Sequence, residues 1–426
     1  MPPRKPRLSA KPAGTRRAAP APEAVRARPL ADSVLRLIWQ ERAISRAEIA
    51  RRADLSRSTV SEVVDSLLPT GLVSEGGPGE SLGGRRPIVL NFEDGACCIL
   101  GVEVGASHVA VAMTDLRGQV LDWQHQHHPV RTDPAGTREL VHTLCDAALK
   151  SRRNAARTLV GIGIAVASPV DPKHPFALSE VVLPEWKGQS GLDHLGERYG
   201  VPVMVDNDAN LGALAEHWWG AGRGVHHFAY VKVGTGVGSG HVIDGEVYRG
   251  ATGFAGEIGH MSIDPNGEPC VCGLRGCLAT HVGSPALVKR AKALLSEYPG
   301  SKLASGQMTL EAIEEAALAG DQLGTRVVRD AAEYLGIAIA GMLNLMNPSV
   351  VIVGGGITQL GDRFLEPLRE TVSQRTRVNS GAASSILMSE LGPQTVAVGA
   401  ASLVLKEALA NPRLFPSAPA AAKVAR

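Results

Sequence analysis

Residues 228–240 read FAYVKVGTGVGSG, a buried strand that runs directly into a glycine-rich loop and is followed by another strand. The same arrangement occurs earlier in the chain, where a strand at residues 99–105 enters a glycine-containing turn before a strand at residues 109–113. Glycine has no Cβ, so such loops let backbone N–H groups approach a phosphate closely. Two halves that each open with a glycine hairpin predict a two-lobed α/β fold with a central ligand cleft.

Alternating strands and helices complete the two predicted lobes. Helices are expected at residues 137–150, 192–199 and 209–219, and strands at residues 159–165, 201–205 and 350–353. We assign residues 97–212, together with about 395–410, to the first lobe and residues 213–394 to the second.

Residues 30–90 predict a separate, mainly helical domain. Each of its three helices has a candidate N-cap, at Asp32, Ser45 and Ser56. The second helix, about residues 46–53, begins with a capping box of Ser45 and Glu48, and Ile44 and Ile49 lie where a hydrophobic staple would join them. The third helix has an apolar stripe at helical spacing, formed by Val60, Val63, Val64, Leu67 and Leu68.

Two short strands, at residues 72–75 and 87–90, are expected to pair behind these helices and to enclose a loop with Arg85 and Arg86. Two helices joined by a tight turn and followed by such a wing predict a winged helix-turn-helix, whose second helix enters the major groove of DNA. A helix-turn-helix that serves only as a packing unit is the alternative. The predicted DNA contacts are Arg46, Arg57, Ser58, Thr59, Ser61, Arg85 and Arg86.

Composition agrees with several folded units in a chain of 426 residues, of which 44% are hydrophobic and 20% are charged. The net charge is only +2, but residues 1–29 contain eight Lys or Arg and a single acid. This tail is predicted to be disordered and either contacts DNA phosphates or solubilises the chain. Residues 411–426 are expected to be a second flexible tail. No secretory signal or membrane span is recognisable, so we expect a cytoplasmic protein without a membrane partner.

Polar side chains cluster where the strand at residues 201–205 ends. Asp206, Asn207 and Asp208 immediately precede a predicted helix, at the edge of a sheet where ligands commonly bind. A carboxylate such as Asp208 can accept the proton of a sugar hydroxyl during phosphoryl transfer, or simply hydrogen-bond it. The alternative is that Asp206 or Asn207 caps the helix.

Three cysteines form a C-x-C-x4-C motif at Cys270, Cys272 and Cys277, about ten residues after His260. One imidazole and three thiolates complete a tetrahedral zinc site, and four protein ligands leave no open position for catalysis, so the zinc would be structural. The alternative is a set of free thiols, as we expect for the other cysteines of the chain. The second nitrogen of His260 remains free to meet a ligand hydroxyl.

These motifs resemble the ROK family, which groups sugar kinases with sugar-responsive repressors. The matching segments are GFAGEIGH at 253–260, CVCGLRGC at 270–277, NDAN at 207–210 and GTG at 234–236. The resemblance implies an actin-like ATPase (ribonuclease H-like) fold and a homodimer or homotetramer. It also implies structural zinc on His260, Cys270, Cys272 and Cys277, and sugar contacts from Asn207, Asp208, Glu257 and His260. Asp208 matches the kinases' catalytic base.

Two departures from the kinase pattern bear on function. The kinases' first phosphate loop reads D-x-G-G-T-K, whereas residues 103–108 read EVGASH, and Ala106 places a Cβ where backbone should approach phosphate. ATP binding is therefore expected to be poor or absent. Ala279 replaces a glutamate that contacts sugar in the family, which leaves the identity of any sugar open.

The sequence thus favours a regulator that is not an enzyme, binds double-stranded operator DNA and responds to a sugar or sugar phosphate in the cleft, most simply as a repressor of carbohydrate-metabolism genes. An ATP-dependent, glucokinase-like sugar kinase with an appended DNA-binding domain is the alternative, because Asn207 and Asp208 are intact. A third hypothesis, suggested by Ala279, is a ligand-independent DNA-binding protein regulated by a protein partner.

Overall fold

The computed structural model describes residues 27–78, 87–150, 157–378 and 385–416. The chain divides into an N-terminal unit that ends at Phe92 and a larger body, to which residues 70–72 also belong. The predicted basic tail before residue 27, the wing loop with Arg85 and Arg86, and the last ten residues lie outside the described residues.

The N-terminal unit contains three helices, α1 (Ala27–Glu41), α2 (Arg46–Arg52) and α3 (Arg57–Leu67). Two of the three predicted caps are confirmed, because the Ser45 hydroxyl accepts a hydrogen bond from the Glu48 N–H (3.2 Å) and the Ser56 hydroxyl accepts one from the Thr59 N–H (3.1 Å). Asp32 does not cap α1, because that helix begins five residues earlier.

The Ser45–Glu48 capping box is only half formed. The Glu48 carboxylate does not return to the cap but accepts hydrogen bonds from Arg51 and Arg52, one turn further along α2. At this exposed helix end, hydrogen bonds from two charged arginines to the Glu48 carboxylate outweigh the single hydrogen bond that the Ser45 N–H would donate.

A three-stranded antiparallel sheet packs with these helices, in the order β1 (Ala43–Ser45), β3 (Ile88–Phe92), β2 (Val73–Pro78). The predicted pair of strands is confirmed as β2 and β3, with Val73 opposite Phe92. The sequence did not predict β1, which is three residues long and whose Ile44 pairs with Leu90. The α3 stripe is buried as predicted except for Leu68, which begins a 3-10 turn and is only half-buried.

Replacing Ser56 by alanine removes the α3 cap and is expected to destabilise the start of α3 by about 1 kcal/mol. In the full-length protein, hydrogen exchange of the first α3 amides should accelerate about fivefold, since 1.4 kcal/mol corresponds to tenfold. Ser66→Ala is the matched control, because the Ser66 hydroxyl only donates to the Val63 carbonyl within the helix. Unchanged exchange in Ser56→Ala would show that the cap contributes nothing.

The first sheet of the body has the order β6-β5-β4-β7-β8. Its strands are β4 (Cys97–Val104), β5 (His108–Thr114), β6 (Val120–His127), β7 (Thr158–Val166) and β8 (Val203–Asn207). The pairs β4/β5 and β5/β6 are antiparallel, whereas β4/β7 and β7/β8 are parallel. Two helices of this half are α4 (Pro134–Lys150) and α5 (Leu195–Tyr199), the latter three residues shorter than predicted at its start.

The second sheet repeats this topology in the order β11-β10-β9-β12-β13. Its strands are β9 (Phe228–Val233), β10 (Val237–Ile243), β11 (Glu246–Tyr248), β12 (Val350–Gly355) and β13 (Ile386–Met388). As in the first sheet, two antiparallel pairs are followed by two parallel ones. Two sheets with the same strand order confirm the predicted two-lobed α/β fold.

The remaining helices of the body are α6 (Asp208–Trp219), α7 (Ala279–Val282), α8 (Ser284–Leu294), α9 (Leu310–Leu318), α10 (Gln322–Met346), α11 (Asp362–Arg375) and α12 (Thr395–Ala410). Helix α12 packs directly on the first sheet, where a Cβ on Gly163 would lie 1.8 Å from the Ala400 carbonyl oxygen. Helix α6 packs equally closely on the second sheet, and a Cβ on Gly240 would lie 2.3 Å from the Ala209 carbonyl oxygen. The predicted glycine-rich loop is shorter than expected: only residues 234–236 form the turn, and β10 begins at Val237, which pairs with Val233 of β9.

None of the helices within the described ranges combines the length and the apolar character that crossing a bilayer requires.

Candidate functional site

A cleft of about 350 Å³ lies at the end of β8 and β9, bounded by the turn at residues 234–236 and by the segment before the cysteines. All four residues predicted to contact a sugar line it: Asn207, Asp208, Glu257 and His260. Ala279, at the start of α7, lines the same cleft. The structure therefore brings together residues that are up to 72 positions apart in the chain.

Asn207 is the N-cap of α6, as the alternative interpretation of this segment predicts. Its side-chain oxygen accepts hydrogen bonds from the N–H groups of Ala209 (2.9 Å) and Asn210 (3.2 Å), and its amide group donates to the Ser168 carbonyl (3.1 Å). A carboxamide has two N–H donors, so one remains for a ligand in the cleft. Asn207 thus fixes the start of α6 and, with it, the position of Asp208.

Asp206 lies below the cleft and holds its wall together. One of its oxygens accepts hydrogen bonds from the Asn207 N–H (2.7 Å) and the Asn210 amide (3.1 Å), and the other contacts the Arg249 guanidinium at 2.6 Å. Because Arg249 follows β11 of the second sheet and Asp206 belongs to β8 of the first, this ion pair between a buried carboxylate and a half-buried guanidinium ties the two lobes together.

Lys232 occupies the floor of the cleft between two carboxylates. Its ammonium group contacts the carboxylates of Glu103 and Asp208, each at 2.7 Å. Burial alone would raise the pKa of Glu103, but the charge of Lys232 and the hydrogen bond from His108 lower it to about 2. Burial would lower the pKa of Lys232, but the two carboxylates keep it well above its usual value. Glu103 and Lys232 are therefore both charged at neutral pH.

Glu257 and His260 lie on the opposite side of the cleft, at a 3-10 turn. Burial and the nearby charge of Asp208 raise the pKa of Glu257 to about 7. The Nε2 atom of His260 lies 3.9 Å from the Glu257 carboxylate, while its Nδ1 atom points at Cys270. One imidazole thus joins the cleft to the cysteine cluster.

His260, Cys270, Cys272 and Cys277 place four donor atoms within 4.8 Å of one another. His260 Nδ1 is 3.5 Å from Cys270 Sγ, and Cys272 Sγ is 3.6 Å from Cys277 Sγ. Ligands at about 2.0–2.3 Å from a tetrahedral zinc ion are separated by roughly 3.5–3.8 Å. The donor set and its spacing therefore fit a closed, four-coordinate metal site.

The sequence did not identify Lys232 or Arg131 as residues of the cleft, although both line it, as does Thr235 of the predicted glycine turn. A signal existed for Lys232, because it is the only charged residue in the otherwise apolar strand β9. Arg131 carries no comparable signal: it precedes α4, and its guanidinium reaches the cleft while donating to the Val182 carbonyl (2.9 Å).

The polar start of α3 is the predicted DNA-reading surface, and Arg57 and Ser58 are exposed there. The Ser56 hydroxyl lies 2.8 Å from the hydroxyls of both Ser58 and Thr59, so this first turn is held in a defined arrangement. Ser61, one turn further along, is half-buried.

Arg46 does not belong to this free surface. Its guanidinium contacts the carboxylates of Asp65 (3.0 Å) and Glu75 (2.9 Å) and links α2 to α3 and β2. Arg57 has no ion pair with any residue that the structure describes. Arg46 thus has a structural role in the free protein, and its predicted DNA contact stays a prediction.

Comparison with known proteins assigns both units. The sequence profile of the ROK family matches residues 99–407, which is most of the body. The chain belongs to the ROK family. A second profile, that of the MarR family, matches residues 33–74, the segment that contains α2 and α3.

Similar ROK proteins include named repressors. The chain is 34% identical to the putative xylose repressor of Caldicellulosiruptor sp. (strain Rt8B.4), over 89% of this chain and 96% of the relative. It is 31% identical to the DNA-binding transcriptional dual regulator NagC of Escherichia coli (strain K12), over 89% of this chain and 92% of the relative. These alignments are too long to be confined to the ROK body.

Solved structures of ROK proteins resemble the chain in the same way. A ROK family transcriptional regulator, a homologue of the E. coli MLC protein, superimposes with a TM-score of 0.77 at 26% identity, covering 91% of this chain and 98% of that one. A ROK glucokinase from Streptomyces griseus, in complex with glucose and AMPPNP, gives a TM-score of 0.65 at 29% identity, covering 72% and 98%. The predicted actin-like fold and family are confirmed.

Proposed function

We propose that this ROK protein is a sugar-responsive, DNA-binding transcriptional regulator that represses genes of carbohydrate metabolism. The observation that carries the proposal is that relatives named as a putative xylose repressor and a DNA-binding transcriptional dual regulator align with 89% of the chain, through the MarR-like segment as well as the ROK body. Such a regulator acts on chromosomal DNA in the cytoplasm.

The first turn of α3 supports the DNA-binding half of the proposal. Arg57 can donate two hydrogen bonds to a guanine edge, while Ser58, Thr59 and Ser61 can contact bases or phosphates. Arg85 and Arg86 would add wing contacts to phosphates or the minor groove. A homodimer or homotetramer would present two such N-terminal units to a pseudo-palindromic operator.

The cleft supports the sensing half. Asp208 and Glu257 accept hydrogen bonds from sugar hydroxyls, while Asn207 and the Nε2 atom of His260 complete the polar set. The names of similar repressors carry different sugars, xylose in the relative from Caldicellulosiruptor and N-acetylglucosamine in a repressor from Escherichia coli O6:H1 that is 31% identical to this chain. Ala279 enlarges this cleft, so the sugar that fits here has to be found by experiment.

Zinc is the metal that the cysteine cluster fits best, because three thiolates and one imidazole at tetrahedral spacing are its preferred structural ligands. When bound, it holds the 257–260 turn in place and orients His260 toward the cleft. ATP binding is not expected, because Ala106 crowds the first phosphate turn.

Footprinting tests the proposal with the full-length protein on DNA flanking its own gene. We expect one pseudo-palindromic segment to be protected at moderate salt, and one sugar of a panel to abolish or shift that protection. Asp208→Asn should keep the footprint but lose the sugar response, because a carboxylate acceptor has been replaced. Asp193→Asn, an exposed carboxylate away from the cleft, is the control. Protection of no specific segment would refute the proposal.

The sugar kinase remains the alternative to test, because the glucokinase from Streptomyces griseus shares the fold of the body. An assay that couples ADP release to sugar addition distinguishes the two. We expect no turnover with common hexoses, since Lys232 already occupies the Asp208 carboxylate. Sugar-dependent ADP release that Asp208→Asn abolishes would establish a kinase instead.

A further inference from the structure

Lys232, Glu103 and Asp208 form a nearly dry ionic cluster at the floor of the cleft. Their side chains are only 15%, 4% and 13% exposed, respectively. Glu103 is the next-to-last residue of β4 in the first lobe and Lys232 is the next-to-last residue of β9 in the second, so the cluster also joins the lobes. The cluster lies beside the two glycine turns, the part of the cleft that faces phosphate in phosphoryl-transfer enzymes with such turns.

Two buried carboxylates this close to one another require a cation between them. In phosphoryl-transfer enzymes that cation is a divalent metal ion, which also binds the phosphates of the nucleotide. Here the Lys232 ammonium takes the position, 2.7 Å from each carboxylate. A lysine brings one positive charge, so the three side chains together remain negative and do not attract a phosphate.

A second contact closes the same end of the cleft. The hydroxyl of Ser107, in the turn between β4 and β5, lies 3.1 Å from the hydroxyl of Thr235, in the turn between β9 and β10. The two turns that would have to part around a phosphate therefore hydrogen-bond to each other. Two other cations line the cleft: Arg131, which donates to the Val182 carbonyl, and Lys289, which forms an exposed pair with Glu268 at 2.8 Å.

We propose that Lys232 is a specificity-determining residue. Its ammonium group takes the place of the divalent metal ion that would bind the phosphates of a nucleotide. Lys232 thereby restricts the cleft to an uncharged, unphosphorylated sugar. The choice of a sugar rests on the proposed function; the exclusion of metal and phosphate does not. Ligand binding then needs neither magnesium nor ATP, and the lobes are joined on the phosphate side before any ligand arrives.

Manganese binding tests this role directly, using full-length, zinc-replete protein and electron paramagnetic resonance to count bound Mn²⁺. Wild type and the control Lys173→Met, which removes an exposed lysine, should bind equally little Mn²⁺. Lys232→Met should gain one equivalent and should be stabilised by Mn²⁺, because its two carboxylates need a new counter-ion. The double variant Glu103→Gln/Lys232→Met should lose that gain and, with one buried charge fewer, should fold without Mn²⁺.

Equal Mn²⁺ binding by wild type and Lys232→Met would overturn the proposal, as would Mn²⁺-dependent binding of ATP to wild type, a measurement that needs no variant. Thermal shifts of wild type with hexoses, pentoses and their phosphates, in the absence of divalent metal, supply the second test. Stabilisation by an unphosphorylated sugar is expected, and stabilisation by sugar phosphates alone would also overturn the proposal. A response to no sugar contradicts the proposed function, whereas the Mn²⁺ count decides the role of Lys232 by itself.

Discussion

Cys272→Ser is expected to abolish the bound metal, from about one zinc ion per chain to none, and to unfold the loop between His260 and Cys277. The Sγ atom of Cys272 lies 3.6 Å from that of Cys277, and a serine hydroxyl is a poor zinc ligand at this position. Zinc binding in small structural sites contributes on the order of 10 kcal/mol to the folding of the segment that it organises. Loss of one ligand should therefore remove most of the local stability.

The functional consequence of Cys272→Ser follows from His260, which joins the metal cluster to the cleft. Without zinc the imidazole loses its fixed orientation, so the sugar response should disappear while operator binding persists. Metal analysis by mass spectrometry and sugar-dependent thermal shifts measure the two effects. Cys145→Ala is the control, because Cys145 is a buried thiol outside the cluster and should leave the metal content unchanged. Stoichiometric zinc in Cys272→Ser would contradict the assigned ligand set.

Arg57→Ala is expected to weaken operator binding by about 1–3 kcal/mol and to relax the sequence preference at one base pair of each half-site. The guanidinium is exposed at the start of α3, directly after the Ser56 cap, where a recognition helix contacts base edges. Arg85→Ala should instead reduce the affinity uniformly across sequences and lower the salt dependence, as expected for a phosphate contact.

Fluorescence anisotropy with the operator and with single-base variants, at several salt concentrations, distinguishes these outcomes. Arg51→Ala is the matched control for charge, because Arg51 also lies in the N-terminal unit but pairs with Glu48 on α2. If Arg57→Ala and Arg85→Ala both bind like wild type, the DNA-binding face is not the one that we propose.

The sequence predicted those features that depend on residues close together in the chain. Ser45 and Ser56 are caps because their partners are three residues away, and His260 and the cysteines converge within 18 positions. The alternation of apolar strands and helices was likewise sufficient for the two-lobed fold. In each case a local pattern and the final contacts agree.

Features that depend on distant partners were missed or misplaced. Strand β1 has only three residues and exists because β3 pairs with it, and β10 starts early because its pairing with β9 begins at Val237. Arg46 looks like a free cation until the fold brings Glu75 beside it. Lys232 finds its partner Glu103 across 129 positions, a pairing that no short-range pattern contains.

In the proposed function, DNA binding by the N-terminal unit is coupled to sugar binding in the cleft. The most direct test of this coupling is the affinity of the sugar for the protein, measured by calorimetry with and without saturating operator. We expect the operator to change the dissociation constant of the sugar by roughly 5- to 150-fold. Because coupling between two sites is reciprocal, the sugar should change the dissociation constant of the operator by the same factor. Identical sugar affinities with and without operator would show that the cleft does not control DNA binding by the N-terminal unit.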